Sequence, residues 1–412
     1  MRKRVLTVTG LALLLCLVAL PTSAVREPNR SLQGPDYIVN STADPGVGTC
    51  DATECTLREA ITQANGDGKV TNVAFNIPTS DGGYNLSTGV WTIYLAGDLP
   101  DLTEGTTAIM GSTQTGNQGD TNPYGPEIAV NGASAYDCFD LRSASNTVER
   151  LAINECRYGI LIVGPAHHNN IRGNYIGLDA QGTAASGNTQ NGIYIGYASD
   201  NTVGGGAASA RNIISGNGWE GVWIYGDGAD RNDISGNYIG TDSSGLVDVG
   251  NLSSGVYISG GAEANQIGPD NIIAYNDGHG VSIGGSATMY NTVTQNSIHS
   301  NLGGGITLSL DGANGGIPAP SISSSCCVSI SGTAPANSTV EIFTGPDDEG
   351  KTYLTNVSAE GDGDWRIVGP FTLDAYVTAT AADASGNTSA FSGSVTPGTC
   401  HVAYVPIALK SY

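Results

Sequence analysis

The central third of the chain alternates apolar and variable positions in short, evenly repeated segments. Each segment opens with a glycine and continues apolar, variable, apolar, which predicts a short strand with one buried face. No helical period accompanies these segments, and a single strand cannot bury its apolar face alone, so successive units must stack as coils. The segments are GILI at Gly159, GIYI at Gly192, GVWI at Gly221, GVYI at Gly255, GVSI at Gly280 and GITL at Gly305.

Asparagines mark the start of each repeat, at intervals of 23 to 33 residues, and periods in this range indicate a solenoid. The pattern predicts a parallel β-helix with one inward apolar column. It also predicts an asparagine column whose side-chain amides hydrogen-bond along the stack. The apolar column comprises Ile160, Ile193, Val222, Val256, Val281 and Ile306, and the asparagine column Asn146, Asn169, Asn201, Asn232, Asn265 and Asn291.

The segments that flank the repeats differ from them in pattern. CTLREAITQAN, from Cys55 to Asn65, is amphipathic, and Thr56 and Glu59 have the spacing of a capping box, so a helix is predicted to cover the open end of the first coil. After Asn314 the period stops, and strands separated by turn clusters predict a small antiparallel β-sandwich. The predicted organisation is a signal peptide (1–24), a cap with the first coils (36–125), β-helix repeats (126–314), a sandwich (329–396) and a C-terminal tail (397–412).

The first 24 residues join a basic start, an apolar stretch and small residues, which is typical of an export signal. Its removal takes three positive charges from the formal net charge of −22, giving −25. So acidic a surface disfavours nucleic acid and anionic membranes as partners. It also disfavours strong binding of polyanions such as pectate, unless calcium bridges the charges. No later stretch has the length and hydropathy of a membrane helix. The chain is therefore expected to be secreted or on the cell surface, without a membrane span.

Cysteines of an exported chain can oxidise. The candidate disulfides are Cys50 with Cys55 and Cys138 with Cys156, and Cys400 with either Cys326 or Cys327. The spacing alone does not fix this connectivity.

Three motifs carry a resemblance to a known family. CTLREAI, preceded by YIVNSTAD and a cysteine, resembles the CSLREA-type motif of exported bacterial β-helix proteins, with Thr56 where that family usually has serine. GNYIGLDAQGTAASGN and NIISGN resemble the right-handed repeats of that family, and residues 329–392 resemble bacterial immunoglobulin-like modules. The resemblance implies a right-handed coil and a secreted or surface protein, and it transfers no catalytic residue.

His279 lies in DGHGVSIGG, a stretch similar to one found in polygalacturonases. Those enzymes need two carboxylates that flank the scissile bond, and their Asn-Thr-Asp and Arg-x-Lys motifs are absent from the mature sequence. His279 also occupies the variable position before the repeat glycine. The repeat interpretation is therefore favoured over a catalytic histidine.

Three aromatic residues occupy the variable, outward position in consecutive repeats: Tyr194, Trp223 and Tyr257. They are predicted either to form a ladder that stabilises the sheet or to bind a polysaccharide or cell-surface glycan.

Asp179 and Asp242 follow GNYIG in two repeats, and they are expected either to cap their own turns or to bind calcium.

No cofactor is expected apart from that calcium alternative. The favoured function is a non-catalytic protein that binds glycans or supports adhesion. The alternatives are a pectin-degrading type of polysaccharide lyase or glycoside hydrolase, and a passive extracellular scaffold.

Overall fold

The protein is described by a computed structural model that covers residues 36–46, 48–309 and 311–398. The predicted signal peptide and residues 399–412 of the predicted tail lie outside these ranges. The N-terminal part holds β1 (Tyr37–Val39), α1 (Leu57–Ala64), β2 (Thr71–Phe75), β3 (Tyr84–Asn85), β4 (Val90–Tyr94), β5 (Thr107–Met110) and α2 (Ser112–Gln118).

The repeats fold into very short strands, most of them two to four residues long. They are β6 (Ile128–Asn131), β7 (Phe139–Leu141), β8 (Thr147–Glu149), β9 (Ala152–Asn154), β10 (Ile160–Val163), β11 (Asn170–Arg172), β12 (Tyr175–Ile176), β13 (Ile193–Gly196), β14 (Thr202–Gly204), β15 (Ile213–Ile214), β16 (Val222–Tyr225), β17 (Asp233–Ser235), β18 (Tyr238–Ile239), β19 (Val256–Ser259), β20 (Gln266–Ile267), β21 (Ile272–Ala274), β22 (Val281–Gly284), β23 (Thr292–Val293), β24 (Ser297–His299) and β25 (Ile306–Leu308). Short 3-10 turns cover Ala208–Ala210 and Ala313–Gly316.

Three long sheets form the walls of a right-handed parallel β-helix, as the sequence predicted. The first sheet has the order β1-β2-β5-β8-β11-β14-β17-β20-β23 and the second β25-β22-β19-β16-β13-β10-β7. The third has the order β24-β21-β18-β15-β12-β9-β6-β4-β3. Each coil of the repeat region passes through the second sheet, then the first, then the third, and its strands pair in parallel with those of the coils before and after it.

The predicted apolar column is confirmed by the strand register of the second sheet. Ile160 pairs with Ile193, and the pairing continues through Val222, Val256 and Val281 to Ile306. These side chains are buried and belong to one continuous apolar core that runs through the coils.

Asparagine ladders line all three corners of the coil, whereas the sequence analysis predicted one. In a typical rung the backbone N–H and Nδ2 of one asparagine both donate to Oδ1 of the equivalent asparagine in the next coil, as in Asn201 to Asn232 at 3.0 and 2.9 Å. Buried amides are costly unless hydrogen-bonded, and the ladders meet that need. The predicted ladder extends to Asn314; the two others are Asn174, Asn212, Asn237, Asn271 and Asn296, and Asn188, Asn217, Asn251, Asn276 and Asn301.

Helix α1 closes the amino end of the β-helix. Thr56 and Glu59 form the predicted capping box, and Leu57, Ala60 and Ile61 are buried in the core. Disulfides join Cys50 to Cys55, just before α1, and Cys138 to Cys156 between neighbouring coils. Cys400, the third candidate partner, lies outside the described residues.

The C-terminal part consists of two three-stranded antiparallel sheets, β26-β27-β30 and β29-β28-β31. Its strands are β26 (Ser321–Cys326), β27 (Ser329–Thr333), β28 (Thr339–Gly345), β29 (Thr352–Ser358), β30 (Asp364–Val368) and β31 (Tyr376–Ala382). A separate apolar core around Ile342 and Trp365 lies between the sheets. Strand β26 lies before residue 329, where the sandwich was predicted to begin.

The sandwich closes the carboxyl end of the β-helix with polar contacts and with Phe391, which packs against the apolar core of the coils. Glu349 takes the place of the next asparagine in one ladder, since its carboxylate accepts from the backbone N–H and Nδ2 of Asn301 at 2.9 and 2.8 Å. Asn314, the last rung of another ladder, donates to the carbonyl of Thr388 at 2.9 Å. Glu341 accepts from Thr294 and from the backbone N–H of Gln295.

Candidate functional site

An aromatic surface of six rings occupies the outer face of the second sheet and the adjoining turns. Tyr194 is in register with Trp223, and Trp223 with Tyr257, as the repeat predicted. The ring centroids of Tyr194 and Trp223 are 5.2 Å apart at a steep angle, and those of Trp223 and Tyr257 are 6.0 Å apart and nearly parallel. The aromatic surface comprises Tyr158, Tyr194, Tyr197, Trp223, Tyr225 and Tyr257.

Three rings of this surface were missed by the sequence analysis. Tyr225 lies at the end of β16 beside Trp223, and Tyr197 lies against Tyr225. Tyr158 precedes the repeat glycine of the previous coil and contacts Tyr194. The sequence held a signal for Tyr225, because it lies two positions after Trp223 and side chains two apart in a strand share a face. Tyr158 and Tyr197 lie in turns, where alternation does not apply.

The rings are half-buried against one another except Tyr197, which is more than half exposed. Trp223 is fixed further by its indole N–H, which donates to Ser259 Oγ at 3.0 Å. Burial, followed by the neighbouring tyrosines, raises the pKa of Tyr194 to about 12. Its hydroxyl is therefore neutral and able to donate a hydrogen bond across the physiological pH range.

Glycines at the strand ends give these rings room to lie flat. A Cβ added to Gly196 would lie 2.5 Å from the ring of Tyr194, and one added to Gly284 would lie 3.0 Å from the hydroxyl of Tyr257. Contacts under 3.0 Å do not occur for real Cβ atoms, so a side chain at Gly196 would displace the ring of Tyr194. The positions of the rings thus depend on the glycines as well as on the aromatic residues.

Asp179 and Asp242 each hydrogen-bond within their own turn. The carboxylate of Asp179 accepts from the backbone N–H groups of Thr183 and Ala184. That of Asp242 accepts from Ser244 and from the N–H groups of Leu246 and Val247. Burial alone would raise the pKa of Asp242, but these hydrogen bonds together outweigh it and lower the pKa. The two aspartates lie two coils apart, and their turns are in contact, since the N–H of Ser243 donates to the carbonyl of Gly182 at 2.8 Å.

His279 lies where the repeat interpretation placed it. Its backbone carbonyl accepts from Gly255 of the previous coil, and its N–H donates to Ser254 Oγ at 3.2 Å. These are the inter-coil bonds of the stack.

Residues 113–317 match a family model described as NosD, periplasmic copper-binding protein. The match covers just under half of the chain and falls on the β-helix coils. No curated protein matches the chain. The likeness agrees with the parallel β-helix and with the predicted location outside the cytoplasm. Over the described ranges, no helix is long and apolar enough to cross a membrane.

The expectation that the chain takes no cofactor, with calcium as the alternative, is contradicted by this match, because the matching family is described as copper-binding. The side chains of the described residues nevertheless do not fit a copper centre. Nowhere in residues 36–46, 48–309 and 311–398 do three His, Cys, Asp or Glu side chains come together as metal ligands. His167 and His168 form an exposed pair whose Nδ1 atoms are 2.7 Å apart, without a third such ligand among the described residues.

Proposed function

We propose that the chain is a secreted or cell-surface β-helix protein that binds polysaccharide through the aromatic surface of its second sheet. The observation that carries the proposal is the contact of six rings on one outer region, fixed in place by neighbouring glycines and by the bond from Trp223 to Ser259. Attachment to a glycan-coated surface, and hence adhesion, would follow from such binding.

Sugar rings present faces of C–H groups that pack on aromatic faces, and each aromatic ring buries a large apolar area. The rings of Trp223 and Tyr257 are nearly parallel, with centroids 6.0 Å apart. Both side chains remain partly exposed, which leaves part of each ring free for a ligand. Because the rings are already packed, little side-chain freedom is lost on binding.

The aromatic surface is uncharged, and this favours a neutral glycan for a chain of formal charge −22. The CSLREA-type motif at CTLREAI and the immunoglobulin-like character of the sandwich are part of the same proposal, since exported surface proteins combine such modules. The match to a periplasmic family supports the location outside the cytoplasm.

The test is a glycan array probed with the full mature chain, followed by calorimetric titration of each glycan that binds. Trp223→Ala removes the central ring and is expected to weaken binding about tenfold, the loss of a modest hot spot. Gly196→Val keeps every ring but displaces Tyr194, and is expected to weaken binding by a smaller factor. Tyr94→Ala is the matched control, because Tyr94 is an aromatic residue 64% exposed on the third sheet.

Three results would contradict the proposal. If no glycan binds, or if Trp223→Ala binds every ligand as well as the wild type, the rings serve only to stabilise the sheet and the chain is a passive scaffold. If reducing ends or unsaturated products accumulate when polysaccharides are incubated with the protein, the chain is a hydrolase or lyase.

A further inference from the structure

We propose that a second, separate site, a cleft between the third sheet and the C-terminal sandwich, binds an acidic oligosaccharide through Arg211 and Lys351. The cleft encloses about 420 Å³. Its walls come from the corner and first residues of the third-sheet strands and from the start of β29, and include Arg211, Tyr238, Asp270, Ile272, Ser297 and Lys351. This inference does not depend on the aromatic surface.

The charge pattern of the molecule singles out these two cations. Six of the ten lysines and arginines in the described part form ion pairs with carboxylates: Arg58, Lys69, Arg142, Arg157, Arg172 and Arg231. Within the same ranges, Arg211, Lys351, Arg150 and Arg366 form none. Two of these four line one cleft, in a chain with 38 acidic residues against 16 basic ones.

Arg211 is held in position to receive an anion. Its guanidinium lies over the ring of Tyr238 at 4.1 Å from the centroid, and its Nε donates to the carbonyl of Gly236 at 3.1 Å. Its two terminal nitrogens make no hydrogen bond to the described residues. A fixed guanidinium with both terminal nitrogens available matches the two oxygens of a carboxylate or sulfate.

The cleft runs across successive coils. Tyr238 pairs with Ile272 of the next coil, and Ile272 with Ser297 of the coil after it. Strands of neighbouring coils are about 4.8 Å apart, so Arg211 and Lys351 mark opposite ends of a groove that spans several sugar units. The geometry therefore suits an oligosaccharide with anionic groups on separate residues better than a single small anion.

A peptide fits the floor of this cleft less well. Strand β18 is paired with both β15 and β21, and β21 with both β18 and β24. On the far side of β24, the N–H of Ile298 donates to the carbonyl of Gly350. An extended peptide would find no open strand edge on this floor, although β29 on the wall is the edge strand of its own sheet. Sugar hydroxyls need only side-chain partners and the charges at the two ends.

The test is calorimetric titration of the full mature chain with four hexamers: an oligogalacturonate, a sulfated heparin fragment, a neutral cello-oligosaccharide and hexaglutamate. The first two distinguish a carboxylate from a sulfate as the anionic group. We expect one or both to bind, with an affinity that falls as salt is raised, because exposed charge pairs are screened. Hexaglutamate is expected to bind at least tenfold more weakly. So is the neutral hexamer when it is compared in the Trp223→Ala variant, where the aromatic surface contributes little.

Four variants locate the site. Arg211→Gln is expected to weaken binding about tenfold, as for the loss of a charged hydrogen-bonding group, and Lys351→Met about threefold, because this exposed ammonium is screened by water. Asp270→Asn removes a carboxylate from the same cleft and is expected to strengthen binding about twofold. Arg366→Gln is the matched control, since it removes an unpaired exposed cation outside the cleft.

The proposal fails if neither acidic oligosaccharide binds, if hexaglutamate binds as tightly, or if Arg366→Gln weakens binding as much as Arg211→Gln. It also fails if Asp270→Asn weakens binding, which would indicate a cationic ligand. Lys351 and Asp270 are exposed, so their variants report on binding even if Arg211→Gln folds poorly. Trp223→Ala should leave the binding of acidic oligosaccharides in the cleft unchanged. A failure of the cleft proposal can therefore be told apart from a failure of the aromatic-surface proposal.

Discussion

The two ends of the β-helix are closed by different chemistry. At the amino end, α1 inserts Leu57, Ala60 and Ile61 into the apolar core. At the carboxyl end, the buried carboxylates of Glu341 and Glu349 accept hydrogen bonds from the last coil. The first closure gains free energy from apolar burial. The second combines the packing of Phe391 on the apolar core with buried carboxylates, whose desolvation is balanced against hydrogen bonds.

The comparison shows why the carboxyl end depends more on conditions. Burial raises the pKa of Glu349 to about 7, although its bonds to Asn301 oppose the shift, and burial likewise raises the pKa of Glu341. The apolar side chains that α1 buries do not titrate, so their contribution to stability does not depend on pH. The following predictions separate the two closures.

The largest effect is expected at the amino end. Ile61→Ala should lower the free energy of unfolding by about 2–5 kcal/mol, because Ile61 is fully buried and the truncation leaves a cavity. Denaturant unfolding of the mature chain measures it. Thr62→Ala, on the exposed face of α1, is the control and should change far less. Equal losses from the two variants would show that α1 does not close the core.

At the carboxyl end, Glu349→Ala should destabilise the protein by about 1–3 kcal/mol. The change leaves the backbone N–H of Asn301 buried without its acceptor and removes one acceptor of Asn301 Nδ2, which still donates to the carbonyls of Ile273 and His299. Asp348→Ala, at an exposed neighbouring position, is the matched control. An unchanged melting temperature for Glu349→Ala would mean that water replaces the carboxylate at no cost.

The pH dependence of stability should also come from the carboxyl end. The folded pKa of Glu349, about 7, lies above its ordinary value of 4.5, so the folded state binds more protons between these values. The stabilisation is present in full below pH 4.5 and is lost as pH rises through about 7. Glu349→Gln should therefore flatten the decline in melting temperature over this window, leaving a smaller decline from Glu341. If the melting temperature of Glu349→Gln falls with pH as steeply as that of the wild type, the decline comes from other groups.

The smallest effect is expected from the cap of α1. Thr56→Ala removes the acceptor for the N–H of Glu59 and should cost about 0.5–2 kcal/mol, less than Ile61→Ala. Thr56→Ser keeps the hydroxyl and should retain most of this stability. If Thr56→Ser loses as much as Thr56→Ala, the methyl group and not the cap carries the contribution.

The structure could be predicted from the sequence wherever neighbouring coils have the same residue pattern. The column from Ile160 to Ile306 and the register of Tyr194, Trp223 and Tyr257 follow from alternation within strands and stacking between them. The second and third asparagine ladders were present in the same repeats, at Asn174 and Asn188 for example. The prediction covered only the asparagine before each first-sheet strand.

Contacts between regions were not predictable in this way. Glu349 completes a ladder whose last asparagine is 48 residues earlier in the chain, and the sequence around it has no asparagine pattern to follow. Arg211 and Lys351 share a cleft only because the sandwich docks beside β24. Such docking depends on the fit of two folded surfaces, and no local periodicity records that fit.

The asparagine ladders also make the length of this molecule adjustable. Each interior asparagine donates to the equivalent asparagine on one side and accepts from the one on the other side. Between Asn251 and Asn301 consecutive ladder asparagines are 25 residues apart. A coil can therefore be duplicated or lost there without disturbing the bonds of the coils on either side. Only the two ends have unique partners. The β-helix therefore has two fixed ends and a middle of variable length, which grows by about 4.8 Å for every coil that is added.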